Sequence, residues 1–265
     1  MAFVSVIMGI YNCEETLKTA IDSILNQTFE DWEIIMCDDG SKDHTYEIAS
    51  EYCSMYPEKM ILLRNEKNMK LAASLNRCLD RATGKYIARM DADDISEKNR
   101  LEEQVNFLEK NPQFDLVGTL MQSFDENGLK HIVKIKQIPS REDLPVFNPF
   151  HHATIMMKKS VYKALNGYTV SKRTSRMEDV DLWYRFFKAG YRGYNLQKVL
   201  YYVREDKNAY KRRKLKYYVH ASLIVRDGIK LLGLSPKYYI YCIKPILAWI
   251  FPHKLKVLWR KRKFR

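Results

Sequence analysis

The chain has 265 residues, 46% hydrophobic and 29% charged, enough for one large domain or a domain with an appendage and too apolar for a disordered chain. Its five cysteines (Cys13, Cys37, Cys53, Cys78, Cys242) are scattered and form no CxxC pair, which argues against a disulfide framework or a thiolate metal site and fits a reducing compartment. The net charge of +13 is uneven: from Arg204 onward there are 18 Lys+Arg against 3 Asp+Glu, while residues 1–203 carry 27 against 29. A near-neutral body with a basic tail points to an anionic partner for the tail.

No secretory leader is expected, because MAFVSVIMGIYN has neither a basic start nor a small-residue cleavage site and reads as a first strand over 3–10. Residues 15–27 place Leu17, Ile21, Ile24 and Leu25 at helical spacing. WEIIMC (32–37) predicts a second strand and 43–55 a second helix. MILLR (60–64), a helix over about 70–82 and KYIARM (85–90) follow. Alternating apolar strands and helices predict an α/β fold whose mostly parallel sheet is covered on both faces. Ligands in such sheets bind beyond the carboxyl ends of the strands, which locates the chemistry. After a helix over 98–110, stopped at Asn111-Pro112, the pattern changes to a hairpin with Asn127-Gly128 at its turn. A Pro- and Phe-rich loop (139–150), a strand at 153–158, a helix over 178–189 and a strand over 199–204 complete the body. The remainder reads as helical, interrupted at Gly233, Pro236, Pro245 and Pro252.

Two strands run into acids, the second into Cys37-Asp38-Asp39-Gly40-Ser41 and the fourth into Met90-Asp91-Ala92-Asp93-Asp94. For either cluster alone, helix capping or an ordinary acidic turn is the simpler account. Two clusters on one sheet edge point instead to a hard divalent cation, Mg²⁺ or Mn²⁺, shared with substrate phosphates. Packed carboxylates repel one another until a cation takes their oxygens. Neither GxGxxG nor GxxxxGK[ST] occurs, which weakens dinucleotide oxidoreductases and P-loop enzymes as readings. Glu178-Asp179 opens the helix over 178–189, where the helix dipole stabilises acids whatever their use. His151-His152 precede an apolar strand and Trp183 can face the core, so both are open to a purely structural account.

The ordered segments VSVIMGIYN (4–12), ILNQTFEDWEIIMCDDGSKDHT (24–45), NEKNMKLAASLNRCLDRATGKYIARMDADD (65–94), HHATIMMKK (151–159) and EDVDLWYRFFKAGY (178–191) together resemble the inverting family 2 glycosyltransferases. The resemblance spans most of residues 4–200 and implies the GT-A fold, a Rossmann-like nucleotide-diphospho-sugar transferase sheet. It implies that Tyr11 packs on the nucleotide base and that Asp39 accepts a hydrogen bond from a uracil imide. It makes Asp91-Ala92-Asp93 the DxD element between ribose and metal-bound diphosphate, with Asp93 the direct metal ligand and Asp94 capping the following segment. Asp179 corresponds to the catalytic base, and Glu178 and Trp183 to the acceptor side. His152 matches an H-x-T element near the donor diphosphate and its metal. Many relatives carry Gly in an N-x-G segment where this chain has Lys70, whose charge either approaches a phosphate or is solvated. YKRRK (210–214) is a loose counterpart of basic loops that close over the diphosphate.

The implied reaction is metal-dependent, inverting transfer from a nucleotide sugar, UDP-linked, to a glycan acceptor, lipid-linked, in capsule, O-antigen or exopolysaccharide synthesis. A sugar-phosphate nucleotidyltransferase is the alternative, weakened by the lack of a Gly-rich phosphate loop in VSVIMGIYN. An inactive nucleotide-sugar-binding relative is another, weakened by Asp91, Asp93 and Asp179. The expected domains are a transferase body, 1–204, with a nucleotide half (1–95) and an acceptor half (96–204), and a basic helical extension, 205–265. In the extension, YYIYCIKPILAWIF (238–251) is too short and interrupted to span a bilayer. Flanked by KRRKLK and HKLKVLWRKRKFR, it reads as interfacial, with apolar residues at the headgroup boundary and Lys and Arg on anionic lipid. A helix pair packed on the body with a solvated basic face is the competing account. The expected location is the cytoplasm, peripheral on the inner membrane. Nucleic acid as the partner would leave the acidic clusters unexplained, since they repel phosphates without a metal.

Overall fold

A computed structural model describes residues 2–205 and 214–250. Strands β1 (Val4–Ile10), β2 (Trp32–Asp38), β3 (Met60–Arg64) and β4 (Tyr86–Arg89) lie parallel in the order β3-β2-β1-β4. Helices α1 (Leu17–Leu25), α2 (Thr45–Met55) and α3 (Leu71–Arg81) are the crossovers. Then come β5 (Ile95–Ser96), α4 (Arg100–Lys110), β6 (Leu116–Asp125), β7 (Gly128–Val133), β8 (Met156–Lys158), α5 (Lys159–Ala164), α6 (Glu178–Lys188) and β9 (Gly193–Arg204). Strand β8 is antiparallel to both β4 and β6, which makes it the seam between the two halves of one sheet. Beyond the seam β9 runs parallel to β6, and β5 closes the far edge.

The period-two pattern of β1 is what divides the core. Val4, Val6, Met8 and Ile10 pack on one side with Leu17 and Ile21 of α1 and Leu101 and Val105 of α4. Ile7 faces the other side, where Leu75 of α3, Tyr162 of α5 and Trp183 of α6 gather. Because both faces are covered, every residue of β2 is buried, Glu33 and Asp38 along with its apolar residues.

Three expectations shift. β9 begins at Gly193 rather than at 199 because its first half carries little apolar signal. Buried Asn195 there donates its amide to the carbonyls of Lys136 and Pro149, a set of partners that only the assembled fold supplies. The strand expected at 153–158 opens with a 3-10 turn, His152–Thr154, and only Met156–Lys158 pairs. In the hairpin, Asp125 pairs with Gly128, so the turn residues are Glu126 and Asn127, and Gly128 (φ 102°) starts β7.

The C-terminal extension begins as α7 (Leu215–Leu232), which ends at Gly233 in the left-handed conformation (φ 62°) expected of a glycine C-cap. This helix packs on α6: the Tyr184 ring lies so close over Gly228 that a Cβ there would stand 2.3 Å from it. Its cover explains why α6 buries Leu182 and Tyr184 as well as Trp183, the residue free to face the core. A 3-10 helix (Pro236–Ile243) and α8 (Lys244–Ile250) follow, and Pro245 sits in the first turn of α8, where proline is tolerated, rather than interrupting it. Residues 210–213 of the YKRRK element, Pro252 and the terminal basic stretch lie outside the described residues. Among the described residues no helix is long and apolar enough to cross a membrane.

The contact of Tyr184 with Gly228 sets a test of the docked α7. Gly228→Ala overpacks that contact and is expected to cost about 1–3 kcal/mol. It will be seen as a lower urea midpoint with an unchanged m-value.

Candidate active site

Because β1, β2 and β4 are mutually parallel, Tyr11, Asp38-Asp39 and the Asp91–Asp94 segment all emerge at one sheet edge. Tyr11 is 44% exposed there, so its ring is presented to solvent and is not a core aromatic. The two loops are laced together: the Asn12 N–H donates to Ser41 Oγ, and the Lys42 N–H to Asn12 Oδ1. Buried Asp38 accepts the Ser41 N–H and faces Arg64 at 3.4 Å, which makes it the structural member of the acidic pair.

Asp39 organises the neighbouring loop. Its Oδ1 accepts the Asn65 amide at 2.7 Å and the Met69 N–H at 2.7 Å, and its Oδ2 accepts the Lys70 N–H at 2.9 Å. Lys70 reaches this position at φ 76°, ψ 160°, a region that only glycine occupies without strain. The departure from the N-x-G pattern is therefore a strained residue held in place by Asp39 and by the start of α3.

At the end of β4, Asp91, Asp93 and Asp94 each bring a carboxylate oxygen to within 4.8 Å of the others. Burial and then the charges of Asp91 and Asp93 push Asp94 well above the usual carboxylate range. Crowding by protein and the Asp91 charge raise Asp93 as well. Asp94 does not cap a helix, since Asn99 stands at the N-terminus of α4. Instead its Oδ1 accepts the Arg204 N–H of β9 at 2.8 Å, while its Oδ2 is buried without a hydrogen-bond partner. Three hard oxygens crowded together, one of them an unsatisfied acceptor, are a donor set that fits a divalent cation. Ala92 acts as the spacer: its methyl lies in the core and its carbonyl accepts the Thr16 hydroxyl.

Arg89 is a site residue that the sequence reading passed over. It is 3% exposed, ion-pairs with Asp91 through Nη1, and leaves Nε buried without a partner. The available signal was a charged residue inside an otherwise apolar strand. Its field reaches the start of α6, where it favours the ionised forms of Glu178 and Asp179. Tyr201 and Arg204 of β9 also touch the cluster, Tyr201 accepting the Asp91 N–H and Arg204 Nε donating to the Asp93 carbonyl.

Across the site, Glu178 and Asp179 open α6. Burial raises Asp179 above its ordinary value, against the Val180 N–H on Oδ1 and the Asn148 amide on Oδ2. Burial and then the Asp179 charge raise Glu178. Asn148 comes from the distant Pro-rich loop and carried no signal in the sequence. Two expected residues take other places. Trp183 is fully buried against Phe150 and His152, so it is a core residue beneath the start of α6 and does not line an open site. Neither ring nitrogen of His152 joins the carboxylate oxygens gathered at Asp91, and its Nε2 pairs with the Tyr168 hydroxyl at 2.8 Å. Burial and Arg89 hold it well below the usual histidine range, as a neutral imidazole.

This sheet with its acidic edge is that of the GT-A glycosyltransferases. The chain belongs to glycosyl transferase family 2, whose family model matches residues 5–165. It is 47% identical over 260 residues to EpsE of Bacillus subtilis (strain 168), a protein described as a glycosyltransferase, covering 98% of this chain and 94% of that one. A shorter match, 40% identical over 108 residues and covering 41% of this chain and 42% of the other, is to WfgD of Escherichia coli. WfgD is described as a UDP-Glc:α-D-GlcNAc-diphosphoundecaprenol β-1,3-glucosyltransferase. In fold, the chain is similar to Staphylococcus aureus TarS 1–349 in complex with UDP-GlcNAc: TM-score 0.72, 18% identity, covering 92% of this chain and 73% of that one. It is also similar to the mannosyltransferase PcManGT of Pyrobaculum calidifontis in complex with GDP-Man and Mn²⁺: TM-score 0.66, 17% identity, covering 98% and 79%.

Three substitutions follow from the geometry. Lys70→Gly should stabilise the protein by about 1 kcal/mol, since relief of a strain of about 1–3 kcal/mol outweighs the added freedom of the unfolded chain. A urea titration with a raised midpoint checks it. Asp91→Asn strands the buried Arg89 charge and should cost about 3 kcal/mol, whereas Asp93→Asn, on an exposed residue, should stay within about 0.5 kcal/mol. Equal losses in the two variants would contradict this division of roles.

Proposed function

We propose that this glycosyltransferase moves a sugar from a nucleotide-sugar donor, UDP-linked, to a lipid-linked glycan acceptor in the assembly of a capsule, O-antigen or exopolysaccharide, with inversion at the anomeric carbon. The observation that carries the reading is the gathering of Tyr11, Asp39 and the Asp91–Asp93–Asp94 carboxylates at one edge of the sheet. Tyr11 offers an exposed ring for the base, and Asp39 an acceptor beside the loop it holds. The complexes of TarS with UDP-GlcNAc and of PcManGT with GDP-Man and Mn²⁺ support the donor class and the metal. The acceptor named for WfgD supports a lipid-linked glycan.

Asp91 and Asp93 would hold Mn²⁺ or Mg²⁺, with Asp94 behind them. A bound divalent cation supplies positive charge against the diphosphate that departs. The chain's own residues do the remaining work. Asp179, oriented by Val180 and Asn148, takes the proton of the acceptor hydroxyl. The oxygen forms its bond to the anomeric carbon as the bond to the diphosphate oxygen breaks on the opposite face, and the electron pair leaves with the nucleotide. Lys70 and the basic residues of 205–265 add positive charge near donor and membrane, respectively. The exposed Tyr239, Ile240, Ile243, Leu247 and Trp249 fit a peripheral contact with the cytoplasmic face of an anionic membrane.

A screen of UDP-, GDP- and dTDP-sugars by calorimetry, with and without Mn²⁺ or Mg²⁺, tests the reading. Metal-dependent binding of a UDP-sugar is expected, and failure of every nucleotide sugar to bind refutes it. Asp179→Asn should lower transfer about 10²–10⁴-fold while leaving donor affinity unchanged. The base acts deprotonated and burial raises its pKa above that of an ordinary carboxylate, so kcat/KM of the unmodified enzyme should fall with decreasing pH before an ordinary carboxylate would titrate.

A further inference from the structure

A crevice of about 140 Å³ opens between the 144–149 loop, the start of α6 and the C-terminal segment. Its walls are mainly apolar, with Val146, Phe147, Pro149, Val180, Val225 and Tyr241 among them. Asn148 also borders the crevice, and it is the residue that donates its amide to Asp179. Asn148 therefore links the candidate base to this apolar wall. On the outer side the Lys244 ammonium donates to the Val146 carbonyl and ties the loop to the start of α8. In the same 3-10 helix and α8, Ile240 (70% exposed), Ile243, Leu247, Trp249 and Ile250 present apolar side chains to solvent. The result is an apolar path from the reacting carboxylate to an apolar surface, in a chain whose candidate substrates are sugars and phosphates.

We propose that the crevice binds the lipid chain of the acceptor, next to the phosphate that carries it. The inference rests on the lipid-linked acceptor reading above. Sugar hydroxyls and phosphates would leave polar groups unmatched against these walls, whereas an alkyl or prenyl chain would not. An apolar cavity of about 150 Å³ accommodates a guest of benzene size. The crevice therefore takes about one branched prenyl unit, and the rest of the chain runs over the exposed face of the 3-10 helix and α8. Exposed apolar surface of this kind marks a contact that is made in use. Here it belongs to the same segment whose Tyr241 and Pro245 line the crevice.

Farnesyl diphosphate and inorganic diphosphate are the probes, titrated into the full-length protein with Mg²⁺ and with the donor site saturated by UDP. Each buried methylene is worth about fourfold in affinity, so farnesyl diphosphate should bind at least about tenfold more tightly than inorganic diphosphate. Val146→Asp and Tyr241→Ala should each remove most of that gain and leave UDP affinity unchanged, which also reports an intact fold. Equal affinity for the two probes in the unmodified protein, or a gain that survives both variants, overturns the crevice. Failure of UDP itself to bind the unmodified protein would refute the UDP-linked donor reading instead.

Discussion

The structure depends on how one buried guanidinium closes the seam of the sheet. At β8 the parallel half meets strands of opposite direction. Arg100 of α4 fills that gap: its Nη2 donates to the carbonyls of Arg89, Ala153 and Ile155, its Nε to Gln104, and its plane lies against the Tyr201 ring. Gln104 then bonds the carbonyls of Val117 and Thr154. Burial lowers Arg100 to about 10, so it remains charged at neutral pH even at zero exposure. Without these donors, several buried carbonyls at the seam would be left without partners.

From that seam the electrostatics of the site follow. Arg89 stands at the end of β4 with its backbone carbonyl held by Arg100 and its side chain on Asp91. It is the buried cation that both sides of the site share, because the donor-side carboxylates and the acids that open α6 lie within its field. The same charge, together with burial, keeps His152 neutral. Carboxylates that would otherwise repel one another are thus held close by a cation built into the sheet, before any ligand arrives.

Much of this was readable from residues alone. The apolar runs of β1 to β4 and the helical spacing of α1 to α4 follow from burial on both faces, and local pattern suffices for that. The acids after β2 and β4 could be placed on one edge because parallel strands end on the same side. Where the reading failed, the deciding partner was distant in sequence. Asn195 and Gly193 join β9 because Phe150 and the 136–149 segment receive them. Trp183 is core because α6 is buried on two sides, and Asp94 serves β9 because Arg204 comes to meet it.

Sequence by itself determined the alternation of strands and helices, the edge where chemistry gathers and the family resemblance, since each rests on local periodicity or on ordered short motifs. Tertiary structure alone decided which acids share a site, that Arg89 stands between them, that Lys70 is held in a glycine conformation and that the tail begins as a helix docked on α6. Those outcomes depend on contacts such as Arg204 with Asp94, Asn148 with Asp179 and Tyr184 over Gly228. No local pattern encodes which distant side chain will satisfy a buried charge or fill the space above a glycine.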